Sequence, residues 1–269
     1  MKYVELSYVD VGLAAGLIIL NAATSIGLGL KLGKSLLWAS VRTIVQLLLI
    51  GMVLERVFSL SRWYLVLGLL LIMTLIAGVS AVGRTERRYR GIYFDSIVAV
   101  WSSSWIVAAY ALLVIMREVR PWYHPQYALP LTGMILGNAL SGVSLGLNRL
   151  GEQLATHRDE VEAMLTLGAT RWEAARGSIQ QAVRTGMIPI INSMMVVGIV
   201  SLPGMMTGQL LSGVSPLQAV RYQIVIMFLI AAATSFGTVV AVLLSYRRMF
   251  NDQHQFRVEM VGRSGGLKG

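Results

Sequence analysis

The sequence holds no cysteine in 269 residues. That excludes disulfides, thiolate metal centres and thiol catalysis. Charge is scarce as well: 13% of residues are Asp, Glu, Lys or Arg, against about 25% in a soluble globular domain. The three histidines, His124, His157 and His254, are scattered without zinc-ligand spacing. No H-E-x-x-H occurs, and no nucleophile can be placed beside an activating base, so an intramembrane enzyme has little support. Acids are fewer than bases, 13 against 23, for a net charge of +10. In a soluble protein that balance would raise nucleic acid as a partner. In this chain it is read as basic loops held on one side of a bilayer, and no nucleic-acid partner is expected.

Apolar residues are abundant, at 55%. They fall into runs of about 20, each long enough to cross a hydrocarbon core of roughly 30 Å. The runs cover 7–30, 38–56, 63–83, 94–116, 127–148, 187–211 and 222–246. The expected fold is all-α, a polytopic helical membrane protein with about seven transmembrane helices. The first run lacks a basic leader and continues past 20 residues, so it reads as a span that stays rather than a cleaved signal. Residues 1–250 form a single transmembrane domain with an insert at 149–186, followed by a tail, 251–269, that is Gly-rich and basic from 262.

Seven spans sort the loops into two sets. One holds Lys34, Arg84, Arg87, Arg88, Arg90, Arg149, Arg158, Arg171, Arg176, Arg184, Arg247 and Arg248, among others; the opposite set holds only Lys2, Arg56, Arg62, Arg117, Arg120 and Arg221. The richer set is assigned to the cytoplasm, which places the N-terminus outside and the C-terminus inside. Trp63 with Tyr64, and Trp122 with Tyr123, fit the headgroup level at span ends.

Polar groups at membrane depth are Asn21, Gln46, Asn138 and Asn192, with Asp95 in the first turn of span four. Such groups face a bundle interior or a pathway, and interhelical hydrogen bonding accounts for each amide equally well. Span five carries Gly133, Gly137, Gly142 and Gly146, two GxxxG steps that permit close helix approach within the chain or across a homodimer seam. Span six contains SLPGMMTGQ (201–209), where Pro203 removes a donor and Gly204 adds freedom. A break there is suited to a translocation pathway. Met205 and Met206 follow; thioethers are soft ligands, better matched to Cu(I) than to Fe(II), and they also fill membrane cores well.

The insert reads as helix, corner, helix. Leu150, Leu154, Val161 and Met164 or Leu165 recur at helical spacing and extend span five. Gly168 suits a left-handed helix end, and Thr170 with Glu173 matches a capping box. A second amphipathic face, Trp172, Ala175, Ile179 and Val183, runs to Gly186, with Pro189 expected near the start of span six. An amphipathic helix lying in the headgroups would account for the stripes, but not for a tight corner between two capped helices.

GLGLKLGKS (27–35) comes close to a phosphate-binding loop. The motif needs a Gly five residues before the second Gly; that position is Leu28, and no strand precedes it. No ATPase site is therefore expected on this chain.

Glu162, Ala163 and Gly168, followed by Ile188-Pro189, resemble the coupling motif of ABC-transporter permeases. The motif's second Ala is Met164 here, and Ile188-Pro189 stands farther from Gly168 than in the common importers. GMILGNAL (133–140), LGAT (167–170), VSLPGMMTGQLLSGVSPLQAVRYQI (200–224) and SYRRMFN (245–251) are similar to the FetB family of permeases, over about residues 36–260. That family pairs with a FetA-type ATPase in bacterial iron export and includes plant permeases linked to aluminium tolerance. The resemblance implies a permease subunit in the bacterial inner (plasma) membrane, assembled as two permeases with two ATPases and moving a metal ion, iron first. It implies that ATP and Mg are bound by the partner ATPase, with no cofactor on this chain. The insert and the resemblance together imply that Glu160, Glu162, Ala163, Leu167, Gly168, Ala169, Thr170 and Arg171 meet that ATPase. The polar groups at membrane depth and the break in span six, not the resemblance, place Asn138, Asn192, Pro203, Gly204, Met205 and Met206 along the pathway, with the thioethers of the two methionines as candidate metal ligands. Another solute, such as a nucleotide sugar, and a non-transporting membrane scaffold stay open.

Overall fold

The computed structural model describes residues 7–30, 32–85, 87–251 and 262–263. The chain divides into two compact units, 1–62 and 63–269; Lys31 and most of the tail lie outside the described residues.

The first unit is a helical hairpin, α1 (Tyr8–Gly27) and α2 (Gly33–Leu60). Ser7 and Asp10 form a capping box that satisfies the first donors of α1. The hairpin closes where Gly33 lies against the Ala22 carbonyl, 3.2 Å from where a Cβ would sit. The Ser25 hydroxyl accepts from the Leu32 N–H at 3.0 Å. The near-miss phosphate loop is this hairpin turn between two apolar helices.

The second unit contains α3 (Trp63–Gly83), α4 (Ile92–Tyr110), a π-helical turn (Ala111–Ile115), α5 (Pro125–Thr156), α6 (Arg158–Thr166), α7 (Arg171–Val196), α8 (Gly204–Leu211) and α9 (Pro216–Met249). Two short strands, β1 (Arg87–Arg88) and β2 (Gly262–Arg263), pair antiparallel. Helices α1, α2, α3, α5 and α9, and α4 with its π turn, are long and apolar enough to cross a membrane, six in all among the described residues.

The centre of this unit is built on absent side chains. A Cβ on Gly186 of α7 would lie 2.7 Å from the Gly142 carbonyl oxygen of α5 and 2.5 Å from Thr238 Cγ2 of α9. One turn on, Gly146 faces Val242 and the Ala182 carbonyl. Backbones therefore approach closely, and dispersion contacts replace the hydrophobic drive that is missing between helices in lipid. The same contacts fix direction: α5 and α9 run parallel, and α7 runs antiparallel to both. Of the four span-five glycines, Gly142 and Gly146 pack within the chain, Gly133 meets Met73, and Gly137 faces open space. Helices α3 and α4 are tied by Ser96 Oγ donating to the Gly78 carbonyl at 2.8 Å and by Trp105 Nε1 donating to Thr74 Oγ1 at 3.1 Å.

The sixth expected span, 187–211, is not one helix. The second helix of the insert does not stop at Gly186 but continues to Val196, so insert and span are a single helix, α7. Pro189 lies inside it rather than at its start. The ring removes one intrahelical bond, and packing of α7 along α5 and α9 holds the helix through it. The break comes at Val197–Pro203. Gly198 turns the chain at φ +82° and Pro203 caps α8. Gly204, expected to supply the freedom, is helical; Gly198 supplies it.

Candidate functional site

The insert forms an elbow. Helix α5 runs unbroken to Thr156 with Leu150 and Leu154 fully buried, and α6 starts anew at Arg158 with Val161 buried. An Arg158–Glu162 ion pair at 2.8 Å bridges one turn of α6. The helix ends in a Schellman arrangement: the Ala169 N–H donates to the Met164 carbonyl at 3.0 Å and the Gly168 N–H to the Leu165 carbonyl at 3.1 Å. Gly168 takes φ +90° to allow this, a conformation that disfavours any side chain. Two residues later the second helix begins. Thr170 N–H and Oγ1 both donate to Glu173 Oε2 at 2.8 Å, and Glu173 N–H donates back to Thr170 Oγ1 at 3.3 Å. These bonds to Thr170 hold the Glu173 carboxyl below the usual carboxylate range.

The corner so built is hydrogen-bonded on both sides and presents side chains outward. Leu167 is 89% exposed at the apex. Glu160, Ala163, Gly168 and Thr170 are exposed beside it, and Glu162, Ala169 and Arg171 are half-buried. An apolar side chain held fully open between two capped helices is a shape suited to a partner's cleft.

The elbow is clamped to the end of α9. Trp172 stacks edge-on against Tyr246 at 5.7 Å, Tyr246 meets Phe250 at 5.4 Å, and Arg171 donates to the Asn251 carbonyl at 3.3 Å. Two residues beyond Tyr246, Arg248 reaches α4. Its Nε lies 2.6 Å from Asp95 Oδ2, and the Tyr89 hydroxyl donates to the same carboxylate oxygen at 2.8 Å. Asp95 is 1% exposed, in the first turn of α4, where the helix dipole favours an anion. Burial pushes the Tyr89 hydroxyl well above the ordinary tyrosine range, so it stays a donor. Gly91 leaves room for the guanidinium, 2.9 Å from where a Cβ would sit, and Phe94 lies beneath it at 5.9 Å. Elbow, α9 end and α4 start thus form one connected cluster. The sequence reading singled out Asp95 but not its partners. The signal was there: a lone acid at a span end needs a cation, and Arg247-Arg248 lie at the end of the last span.

The remaining expected site residues lie elsewhere. Asn138 is exposed on α5, its amide donating to the Met134 carbonyl at 2.9 Å, and Asn192 is exposed on α7. Counting from the Gly142–Gly186 contact, helical rise puts them at levels within about one turn of each other. Pro203 and Gly204 open α8, and Met205 and Met206 are half-buried on it. Met206 lines a mostly apolar hollow of about 410 Å³ with Met194, Met227 and Gln223; Met205 does not line it. Among the described residues no cluster of three His, Asp or Glu suited to a metal occurs.

Long apolar helices packed through glycine, with a charged elbow at one end, define a multi-pass helical membrane protein. Comparison sharpens this. The family described as "Uncharacterised protein family (UPF0014)" matches residues 8–250, and the chain belongs to it. A UPF0014 membrane protein of Synechocystis sp. is 42% identical over 95% of this chain and 98% of its own length. The "Probable iron export permease protein FetB" of Escherichia coli is 33% identical over 85% of this chain and 86% of its own. The "Protein ALUMINUM SENSITIVE 3" of Arabidopsis thaliana is 28% identical over 92% of this chain and 89% of its own. No solved structure matches.

Proposed function

We propose that this chain is the membrane-spanning subunit of an ABC transporter that exports iron or a related metal ion, driven by ATP hydrolysed on a separate ATPase subunit. The observation that carries the coupling role is the elbow. Its two caps fix a corner whose apex, Leu167, is left open by the described residues, and the surrounding residues resemble a permease coupling motif. The metal substrate rests on the iron-export permease among its relatives.

In this reading the elbow residues Glu160, Glu162, Ala163, Leu167, Gly168, Ala169, Thr170 and Arg171 seat in the ATPase. Closure of the ATPase on nucleotide moves α6 and the start of α7, and the clamp passes the movement to α9 and α4. The loops rich in Lys and Arg are cytoplasmic, and so are the elbow and the C-terminus; with α7 as a seventh crossing beside the six long apolar helices, the N-terminus lies outside. The bacterial inner membrane is the site of action. Two copies associate along the exposed face of α5 and α7, so that Asn138 and Asn192 face a shared pathway rather than lipid. The break at Val197–Pro203 and the start of α8 form its far end, with Met205 and Met206 as soft ligands for the passing ion.

The deciding experiment reconstitutes the chain with its ATPase partner in sealed vesicles and follows radioactive iron with ATP. ATP-dependent iron movement supports the reading. Movement of a nucleotide sugar with none of iron would replace the metal assignment and leave the coupling role standing. No ATPase association at all would remove both.

A further inference from the structure

Two hollows on the α4–α9 side of the larger unit adjoin. The first, about 370 Å³, contains Arg117, Glu118, Arg221 and Tyr222. It lies where the π turn ends α4 and α9 begins. Because α9 runs parallel to α5, this is the end of the bundle opposite the elbow. The second, about 500 Å³, is a groove between α4 and α9 lined by Val107, Tyr110, Phe228, Leu229 and Phe236. Ile115 and Val225 line both hollows, so the two adjoin and are treated as one depression.

Its two parts differ in chemistry. The groove has a buried apolar floor, Val107 and Leu229, between exposed aromatic walls, Tyr110, Phe228 and Phe236. From Val225 to Phe236 the axis of α9 advances about 16 Å at 1.5 Å per residue. That is close to half of a hydrocarbon core of roughly 30 Å, the depth of one leaflet. The head of the depression carries two guanidiniums and one carboxylate, an excess of one positive charge. Among the described residues neither the Arg117 nor the Arg221 guanidinium has a hydrogen-bonding or ion-pair partner. The Met116 N–H donates to the Ala111 carbonyl at 2.8 Å, a wide i→i+5 turn that ends α4 directly before Arg117. Such turns enlarge a helix where a site requires it.

We propose that this depression holds one phospholipid of the leaflet opposite the elbow, with an anionic phosphodiester on Arg117 and Arg221 and an acyl chain laid along α4 and α9. A positive head at the interface above an apolar groove one leaflet deep matches an anionic lipid in both charge and length. Guanidinium recognises phosphate oxygens with paired N–H donors. The site rests only on the chain being a membrane protein and does not depend on what is transported.

The test uses the full-length chain in bicelles containing phosphatidylglycerol or phosphatidylethanolamine, followed by stepwise delipidation and native mass spectrometry. One tightly held phosphatidylglycerol per chain is expected, retained in preference to phosphatidylethanolamine. Changing both Arg117→Ala and Arg221→Ala should lower that retention roughly thirtyfold, at about 1 kcal/mol per arginine, while leaving the thermal unfolding midpoint in detergent in place. Ala232, which also lines the groove, gives an independent variant: Ala232→Trp should reduce retention of both lipids. Equal retention of the two lipids, or unchanged phosphatidylglycerol binding in the double arginine variant, overturns the proposal. So does a loss of oligomers in that variant with lipid binding intact, since protein would then cover the groove.

Discussion

Arg248 and Asp95 stand 153 positions apart and meet at 2.6 Å, the guanidinium at the end of the last long helix and the carboxylate at the start of α4. The carboxylate is shut away from solvent, while the Arg248 side chain is 42% exposed. The pair is therefore asymmetric. Losing the cation strands a buried anion, whereas losing the acid leaves an arginine that can turn to water. Arg248→Ala should destabilise the larger unit by about 1–3 kcal/mol, below the range for a fully buried pair because the cation is partly solvated. Asp95→Asn should cost less, since Tyr89 can still donate to the amide oxygen. Adding Asp95→Asn to Arg248→Ala should recover part of the loss. Thermal unfolding in detergent reads all three; a double variant no more stable than Arg248→Ala would contradict the asymmetry.

The docking role proposed for the elbow can be separated from its stability. Gly168 at φ +90° has nothing within 4 Å of a would-be Cβ, so a side chain there meets strain rather than collision. Gly168→Val should cost about 1–2 kcal/mol locally and distort the corner. Leu167→Asp alters only an exposed apex, and a surface change of that kind shifts stability by about 0.5 kcal/mol or less. Both variants should lose the proposed ATPase partner on co-purification while the unfolding midpoint of Leu167→Asp stays near that of the parent. Full partner retention by Leu167→Asp would take the apex out of the interface.

How much of this could be read in advance differs by element. Gly168, Thr170 and Glu173 were legible because caps are local: the residues that make them lie within a few positions of one another. GLGLKLGKS was legible as no phosphate loop, from its spacing, but not as a hairpin turn. The extent of α7 was not. Its first half is amphipathic and its second half apolar, so periodicity reports two segments, and Pro189 suggests a boundary. Only packing along α5 and α9, a long-range effect, carries the helix through it. The Arg248–Asp95 pair was half legible. An acid in a span announces that it has a partner, but which arginine it meets depends on how α9 returns to α4.

The capping box should make the elbow sensitive to acid. Glu173 accepts from the Thr170 N–H and hydroxyl, and its folded-state pKa lies below the ordinary value. A depressed carboxylate contributes stability that is complete above its unfolded pKa and is lost as pH falls through the folded one. The corner should therefore hold at neutral pH and loosen in the acid range below the usual glutamate pKa. Since the chain has no cysteine, Leu167→Cys gives a single attachment point for a nitroxide label. Its mobility should rise as pH falls through that window. Thr170→Ala, which removes a cap at a cost of about 1 kcal/mol, should give a mobile label already at neutral pH. A label equally immobile at all these pH values in both proteins would show that the cap does not hold the corner.

Two glycines on facing helices should respond in opposite ways to the same added methyl. At Gly186 a Cβ would sit 2.7 Å from the Gly142 carbonyl oxygen and 2.5 Å from Thr238 Cγ2, so α5, α7 and α9 must separate to admit it. Overpacking of this kind costs about 1–3 kcal/mol, and Gly186→Ala should lower the unfolding midpoint accordingly. At Gly137 a Cβ would meet nothing within 4 Å. Gly137→Ala should be neutral or stabilising, by about 0.5–1 kcal/mol from reduced backbone freedom in the unfolded chain. Gly137 also lies on the face of α5 proposed to meet a second copy, next to Asn138. Gly137→Leu therefore asks a separate question of the same position. If that face is a seam, the unfolding midpoint of the monomer should be unchanged while the dimer fraction, read by cross-linking in membranes, falls. An unchanged dimer fraction would move the seam to another face of the bundle.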